Sequence, residues 1–474
     1  MKEYNIYIAG EFSSTENELE VFSPFNNKLI AKTYIAGKAE LDIAITKAEE
    51  VKEELKNLPS YKKYKILNDI SEAIKKDRER LADILSLEAG KPLKYALGEI
   101  DRAIQVFVIA AEESKRLPKE YFSLDWTAPG ERKEALVKYF PVGIIAGIAP
   151  FNFPLNLAVH KIAPAIASGN AVIIKPSRST PLSVLELAKI IDTTDLPKGA
   201  VSILPMDRNA GNQLVVDDRI NMLSFTGSPA VGWKMKNEAG RKKVALELGG
   251  NAGVVVSDKS DIDTAVKKCL IGGFAYSGQV CIHVQRIFVH ENVFKEFVDK
   301  FVKLTEQLKF GAPENPDTDI SVMIDENNAL RVEAWVDESV ENGAKILYGG
   351  KRKGNYYEPT IITDTKKEMK VCSLEIFGPV VTVEKFSNFN EAINLINDSE
   401  YGLQAGIFTD SIMEMNNAFN DLEVGGVVIN DIPTFRVDHM PYGGVKNSGF
   451  GREGVKYSIH EMMEARLMVT NNNY

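Results

Sequence analysis

At 474 residues the chain exceeds the roughly 250–300 at which a single hydrophobic core stops growing, so two or more domains are expected. Its 44% hydrophobic and 26% charged residues are those of an ordinary globular protein, and a net charge of −9 argues against nucleic acid or an anionic membrane surface as the main partner. Three cysteines without CxxC spacing, Cys269, Cys281 and Cys372, support neither a disulfide framework nor a structural zinc site.

The N-terminal MKEYNIYIAGEF alternates apolar and charged residues and reads as a strand rather than a signal peptide. From Leu41 to about Arg116 the apolar residues recur with helical period opposite charged faces, punctuated by Pro92 and Gly98. The segment Glu120 to Pro141 carries an alternating strand with no helix of its own, suited to a projecting β-hairpin, and the tail EARLMVTNNNY is a second lone strand. Between them VGIIAGIA, AVIIKPS, AVSILP, INMLSFTGS and VALELGG alternate with helical stretches, and a second such block follows Gly250. Short β-branched runs separated by helices in the first block predict a parallel, doubly wound α/β sheet, an architecture that binds ligands at the carboxyl ends of its strands. The longest apolar run, Val142 to Phe151, is far below the ~20 residues of a spanning helix, so a cytoplasmic protein is expected. Scarce glutamine beside abundant Lys and Glu is a bias shared with proteins of hot environments, and a thermophilic source is expected.

Several stretches carry candidate chemistry. Asn152 in PFNFP sits among rigid neighbours, which suits an amide that must keep one orientation as an oxyanion donor; capping the next helix is the competing use. Lys175 ends the strand AVIIK, within reach of ribose or phosphate oxygens or simply of solvent ahead of Pro176. Gly227 and Ser228 open a helix after a strand, either as an anion site or as an ordinary cap, and without a GxGxxG fingerprint. Glu247 lies in an apolar run that stops at Gly249-Gly250; burial there raises a carboxyl pKa towards that of a general base, and pairing with a lysine is the alternative. Cys281, after Ser-Gly-Gln-Val, is either a small buried hydrophobe or a nucleophile on a turn. In an extended strand His283 would share its face, the arrangement of a Cys–His hydrolase, whereas His160 on an apolar helix reads as a core histidine. Glu375 and Phe377 precede a strand, where a surface carboxylate and an inward-packing ring are equally at home.

PFNFP, KPS, FTGS, LELGGN, GQVC, EIFGPV and PYGGVKNSGFGREG follow one another in the order and approximate spacing of the aldehyde dehydrogenase superfamily. The chain resembles that family over essentially its whole length, and looks most like archaeal lactaldehyde and glyceraldehyde-type members. The resemblance implies a doubly wound, Rossmann-like cofactor domain (1–119 and 142–249), an α/β catalytic domain (250–440) and a small β oligomerisation element (120–141 and 455–474). It implies Cys281 as nucleophile, Asn152 with the Cys281 N–H as oxyanion hole, and Glu247 as the base that activates water. Ile148, Ala149, Pro150, Phe151, Lys175, Ser177, Arg178, Gly211, Phe225, Gly227, Ser228, Glu247, Leu248, Gly249, Glu375 and Phe377 fall to the cofactor. Asn152, Phe153, Val280, Ile282, Phe435 and Arg436 fall to the substrate.

Arg178 stands where NAD-preferring members carry an acidic residue, so NADP is expected over NAD, because a carboxylate repels a 2′-phosphate and an arginine tolerates one. The expected substrate is a small hydroxyaldehyde such as lactaldehyde, glycolaldehyde or glyceraldehyde. Glyceraldehyde 3-phosphate ranks lower because Val280 replaces an arginine common in members that take it, and semialdehydes such as succinate semialdehyde are the next alternative. The presence of Glu247 favours water over coenzyme A as acyl acceptor. A homodimer or homotetramer without metal is implied. A thiol hydrolase and a structural protein on the same scaffold are the rival readings.

Overall fold

The short β-branched runs form buried parallel strands. In the computed structural model, which describes residues 2–472, one eight-stranded sheet has the order Gly449–Phe450, Lys243–Glu247, Met222–Thr226, Ile144–Ile148, Ala171–Lys175, Val201–Ile203, Ile6–Ile8, Glu11–Ser13. Its five central strands are parallel. A strand covered on both faces must be apolar throughout rather than in alternation, and Ile144–Ile148 is buried at every position. From that strand the chain fills one side with Ala171–Lys175 and Val201–Ile203, then crosses to the other with Met222–Thr226. The reversal opens a crevice at the strands' carboxyl ends, where such sheets bind ligands.

A seven-stranded sheet follows, with Gly253–Val256, Arg286–His290, Thr360–Thr363, Val380–Phe386, Gln404–Phe408 and Gly426–Ile429 parallel and Lys345–Tyr348 antiparallel at one edge. The expected α/β fold, a doubly wound sheet followed by a second α/β block, is present. The early helical region resolves into Lys38–Asn57, Ser60–Lys76, Arg78–Ala89 and Leu93–Glu113. Pro92 caps the last of these, but Gly98 lies inside it rather than ending it: a Cβ there would meet nothing within 4 Å, so the glycine sacrifices no packing.

The two lone strands meet. The hairpin Lys119–Ser123 and Lys133–Pro141 accepts the tail Met463–Asn471 along its whole second strand, from Met463 opposite Pro141 to Asn471 opposite Lys133. Leu467, Met468 and Val469 stay about half exposed on this outer strand. The helix Val455–Glu461 just before it packs into the first core through Val455 and Ile459, and Gly449–Phe450 pairs with Lys243–Glu247, so the chain returns to the first sheet before it leaves for the small one. No helix among the described residues is long and apolar enough to cross a membrane.

Candidate active site

Cys281 sits on a turn between the short helix Ala275–Gly278 and strand Arg286–His290. Tyr276, Ser277 and Gly278 have φ of 49°, 54° and 67°, a left-handed run that side chains adopt only under strain. Gly278 is obligatory for a second reason, since a Cβ there would lie 2.1 Å from the Gly378 carbonyl oxygen. Two hydrogen bonds pin the run: Tyr276 Oη donates to Ala89 O at 3.0 Å and Ser277 Oγ to Ser321 O at 2.8 Å. The bend delivers the thiol into a cavity of about 490 Å³ lined by strand ends of the first sheet, Thr226 and Glu247, and by loops and a helix of the second block, among them Arg331, Glu375 and Tyr442.

Burial pushes the Cys281 thiol up to about 11, against the Tyr442 hydrogen bond and the Arg436 charge, which favour the thiolate. Tyr442 Oη lies 3.2 Å from Sγ, and the Arg436 guanidinium lies 3.7 Å from the Tyr442 ring centre. His283 does not share the thiol's face. Residues 281–282 turn rather than extend, and His283 Nε2 bonds Gly273 O at 2.9 Å with its pKa lowered by burial to about 4. The Cys–His hydrolase geometry is therefore absent. Cys269 is buried in the second core, and Cys372 Sγ donates to Thr365 Oγ1 at 3.2 Å. His160 is a core histidine, bonded through Nε2 to Asp438 Oδ1 at 2.9 Å.

Asn152 does not cap the helix Pro154–Ser168; its cap position is Phe153. The helix's first amides are satisfied instead by Glu99, whose Oε1 accepts from the N–H groups of Leu155 and Asn156, both at 3.1 Å. Glu99 in turn pairs with the fully buried Lys91, whose ammonium donates to Asn152 O at 2.6 Å and faces the rings of Phe153 and Tyr276. Held this way, Asn152 donates one Nδ2 proton to Gln279 O at 2.9 Å and keeps the second for the cavity it lines beside Cys281. Among the described residues the backbone N–H of Cys281 donates to no protein acceptor. Two free donors therefore belong to this wall.

Glu247 ends its strand inside the same cavity, and among the described residues its Oε2 has no partner. Burial raises its pKa well above the ordinary value and the charge of Glu453 adds to this, while Arg436, Lys161 and Arg452 oppose it. The lysine-paired alternative falls to Glu453 instead: it accepts from Lys161 Nζ at 3.1 Å and from Arg436 Nη2 at 3.1 Å. Those cations outweigh its burial and hold its pKa at about 2. Glu247 is thus a buried carboxylate poised to take up a proton, next to one that stays ionised.

The crevice side of the cavity is lined by Pro150, Phe151, Gly227, Ser228, Leu248, Gly249, Glu375 and Phe377. Ser228 stands at the N-cap of helix Pro229–Glu238 without making a capping bond, leaving its hydroxyl and the helix's first amides available. Glu375 lies against Gly249, where a Cβ would meet its Oε2 at 2.0 Å, and accepts from Gly250 N–H at 3.1 Å; burial lifts its pKa to about 7. Phe377 takes φ 42°, strained for a bulky residue, with its ring edge-on to Phe151. Lys175 ends its strand outside this lining and lies over Gly211, where a Cβ would come within 2.8 Å of its side chain. Ile148, Ala149 and Phe225 are buried beneath, while Ser177 and Arg178 lie on the surface beyond Lys175, with Arg178 bordering a separate groove.

On the substrate side the cavity gathers Asn152, Phe153, Val280, Ile282 and Arg436. Phe435 does not line it and is 44% exposed, because the loop turns its neighbour inward instead. Arg436 donates through Nη2 to Glu453 and stacks on Tyr442, and among the described residues its buried Nε has no partner. Sequence reasoning missed Tyr442, Asn156, Lys161, Glu453 and Arg102. One signal existed for two of them: helix Pro154–Ser168 is buried at every position, and polar residues in such a helix need a partner.

The model of the Aldehyde dehydrogenase family matches residues 12–468. The chain belongs to this family. It is 43% identical over 474 residues to a 3-sulfolactaldehyde dehydrogenase of Priestia aryabhattai, a match covering 99% of this chain and 98% of that one. Among solved structures it resembles aldehyde dehydrogenase 21 of Physcomitrella patens, in complex with its reaction product succinate, with TM-score 0.98 and 42% identity over 100% of this chain and 99% of the other. It also resembles an archaeal protein, the glyceraldehyde-3-phosphate dehydrogenase of Methanocaldococcus jannaschii complexed with NADP, with TM-score 0.92 and 40% identity over 96% and 100%.

Proposed function

We propose that this aldehyde dehydrogenase family member oxidises a small hydroxyaldehyde to its carboxylate, with NADP preferred over NAD and water as acyl acceptor. The observation that carries the reading is the convergence of Cys281, Asn152 and Glu247 on one cavity at the mouth of the doubly wound sheet.

The crevice fits a dinucleotide. Gly249 has no side chain to displace the Glu375 carboxylate that rests against it, Glu375 and Phe377 form one wall, and the open N-terminus at Ser228 suits a phosphate. Ser228 and Lys175 would hold phosphate and ribose, Glu375 the nicotinamide ribose, and Phe377 the ring. When bound, the nicotinamide supplies a positive ring that favours the thiolate and accepts the hydride whose loss turns a thiohemiacetal into a thioester.

The protein's own residues do the remainder. Cys281 loses its thiol proton to solvent and attacks the aldehyde carbon as the thiolate, and the C=O π pair moves onto oxygen. That oxyanion is met by the free Nδ2 proton of Asn152 and the Cys281 N–H, donors worth ~2.7–4 kcal/mol each when preorganised. Glu247 takes a proton from water as the water attacks the thioester carbon, and the sulfur leaves as thiolate. A base at this position is what a water-dependent enzyme requires and a coenzyme-A-dependent one does not.

For the substrate, the relative named for 3-sulfolactaldehyde and the structure named for glyceraldehyde 3-phosphate both point to short aldehydes rich in oxygen. A second reading, a carboxylate semialdehyde, is favoured by the succinate complex and by Arg102, which lines the cavity. The NADP preference rests on Arg178 beyond Lys175. The small three-stranded sheet, with its half-exposed apolar edge, is proposed as the contact of a homodimer or homotetramer, and the cytoplasm as its place of action.

The test is the absorbance of reduced nicotinamide with an aldehyde panel, wild type against Cys281→Ser. Reduction of NADP by lactaldehyde or glyceraldehyde, faster than of NAD and absent in the variant, is the expected result. No reduction with any aldehyde would leave the scaffold reading standing instead.

A further inference from the structure

The strongest unexplained group is Asn156, in the first turn of helix Pro154–Ser168 and 0% exposed. Its backbone N–H is taken by Glu99. Among the described residues neither Oδ1 nor Nδ2 of its side chain has a partner, and the residue lines the Cys281 cavity. An unpartnered buried amide costs stability, and an apolar side chain would pack the helix better. Retaining one at a cavity wall makes sense if a ligand completes it. An amide presents both a donor and an acceptor, and a hydroxyl satisfies both.

The surroundings agree. One turn further along, His160 bonds Asp438, which also accepts from Arg102 Nη2 at 2.6 Å, and Arg102 lines the same cavity. This wall is therefore polar, and Phe153, Leu157 and Val280 supply apolar surface beside it.

We propose that Asn156 is a specificity-determining residue whose side-chain amide hydrogen-bonds a hydroxyl on the substrate's carbon chain. This rests on reading the cavity as an aldehyde site and names what that site selects. A site built to bond a hydroxyl discriminates strongly against an analogue that lacks it, because the site's own polar atoms are then left unpaired.

The experiment compares kcat/KM for lactaldehyde and propanal, which differ by one hydroxyl, in wild type, Asn156→Leu and the smaller Asn156→Ala. Wild type prefers lactaldehyde, and both variants lower the lactaldehyde-to-propanal ratio by roughly tenfold to a hundredfold. The Tm of Asn156→Leu rises, since two unsatisfied atoms are removed. An unchanged ratio, an equal loss on both aldehydes, or a fall in the Tm of Asn156→Leu overturns the assignment to Asn156 alone. A wild type that turns over neither aldehyde overturns the functional reading beneath it.

Discussion

Replacing Tyr442 by Phe removes one hydroxyl from the cavity and keeps the ring on which Arg436 rests. That hydroxyl lies 3.2 Å from Cys281 Sγ and opposes the burial that pushes the thiol up to about 11. Burial holds the Tyr442 phenol itself well above its ordinary value, so it remains a donor across the accessible range. A hydrogen bond to a charged group contributes ~1.5–3 kcal/mol, and ~1.36 kcal/mol is one pKa unit, so Tyr442→Phe raises the thiol pKa by about one to two units. Below that pKa each unit lowers the thiolate fraction tenfold. Alkylation of Cys281 by iodoacetamide at neutral pH therefore slows roughly tenfold to a hundredfold, read on the Cys281 peptide by mass spectrometry across a pH series. An inflection that stays in place or moves to lower pH would refute the reasoning, because the hydroxyl would then be accepting from the thiol rather than donating to the thiolate.

Other consequences are as direct. Asn152→Ala removes one of the two proposed oxyanion donors and should lower kcat by roughly a hundredfold to a thousandfold with little change in KM, measured by steady-state kinetics. Glu453→Gln deletes a charge that raises the Glu247 pKa and frees Arg436 and Lys161 to lower it further. The acidic limb of the pH–rate profile, where Glu247 must lose its proton to act, then moves to lower pH. Gly249→Ala places a methyl 2.0 Å from Glu375 Oε2 and should raise the KM for NADP far more than that for the aldehyde.

The parallel sheets were legible because burial on both faces forces a continuous β-branched run, as in Ile144–Ile148 and Ala171–Lys175. Asn152, Glu247 and Cys281 each stand in a recognisable local stretch, and the structure brings them together. The misreadings share one cause, the extension of a local period through a place where tertiary contacts set the backbone. Strand alternation puts His283 on the thiol's face, but the left-handed run at 276–278 and the turn at 281–282 break that period. Gly98 looked like a break, yet a long helix with both neighbouring turns packed tolerates one exposed glycine. Tyr442 and Glu453 matter only through what faces them across the fold, Cys281 and the Lys161–Arg436 pair, and no spacing along the chain encodes that meeting.

In the proposed reaction Cys281 carries the acyl group and Glu247 releases it through water. Mixing Glu247→Gln with NADP and lactaldehyde, quenching in acid and weighing the intact protein and its peptides tests this most directly. The expected result is one reduced nicotinamide per site in a burst, and a mass gain of one acyl group on the Cys281 peptide that persists. Full turnover by the variant with no adduct, or an adduct on Cys269 or Cys372, would contradict it.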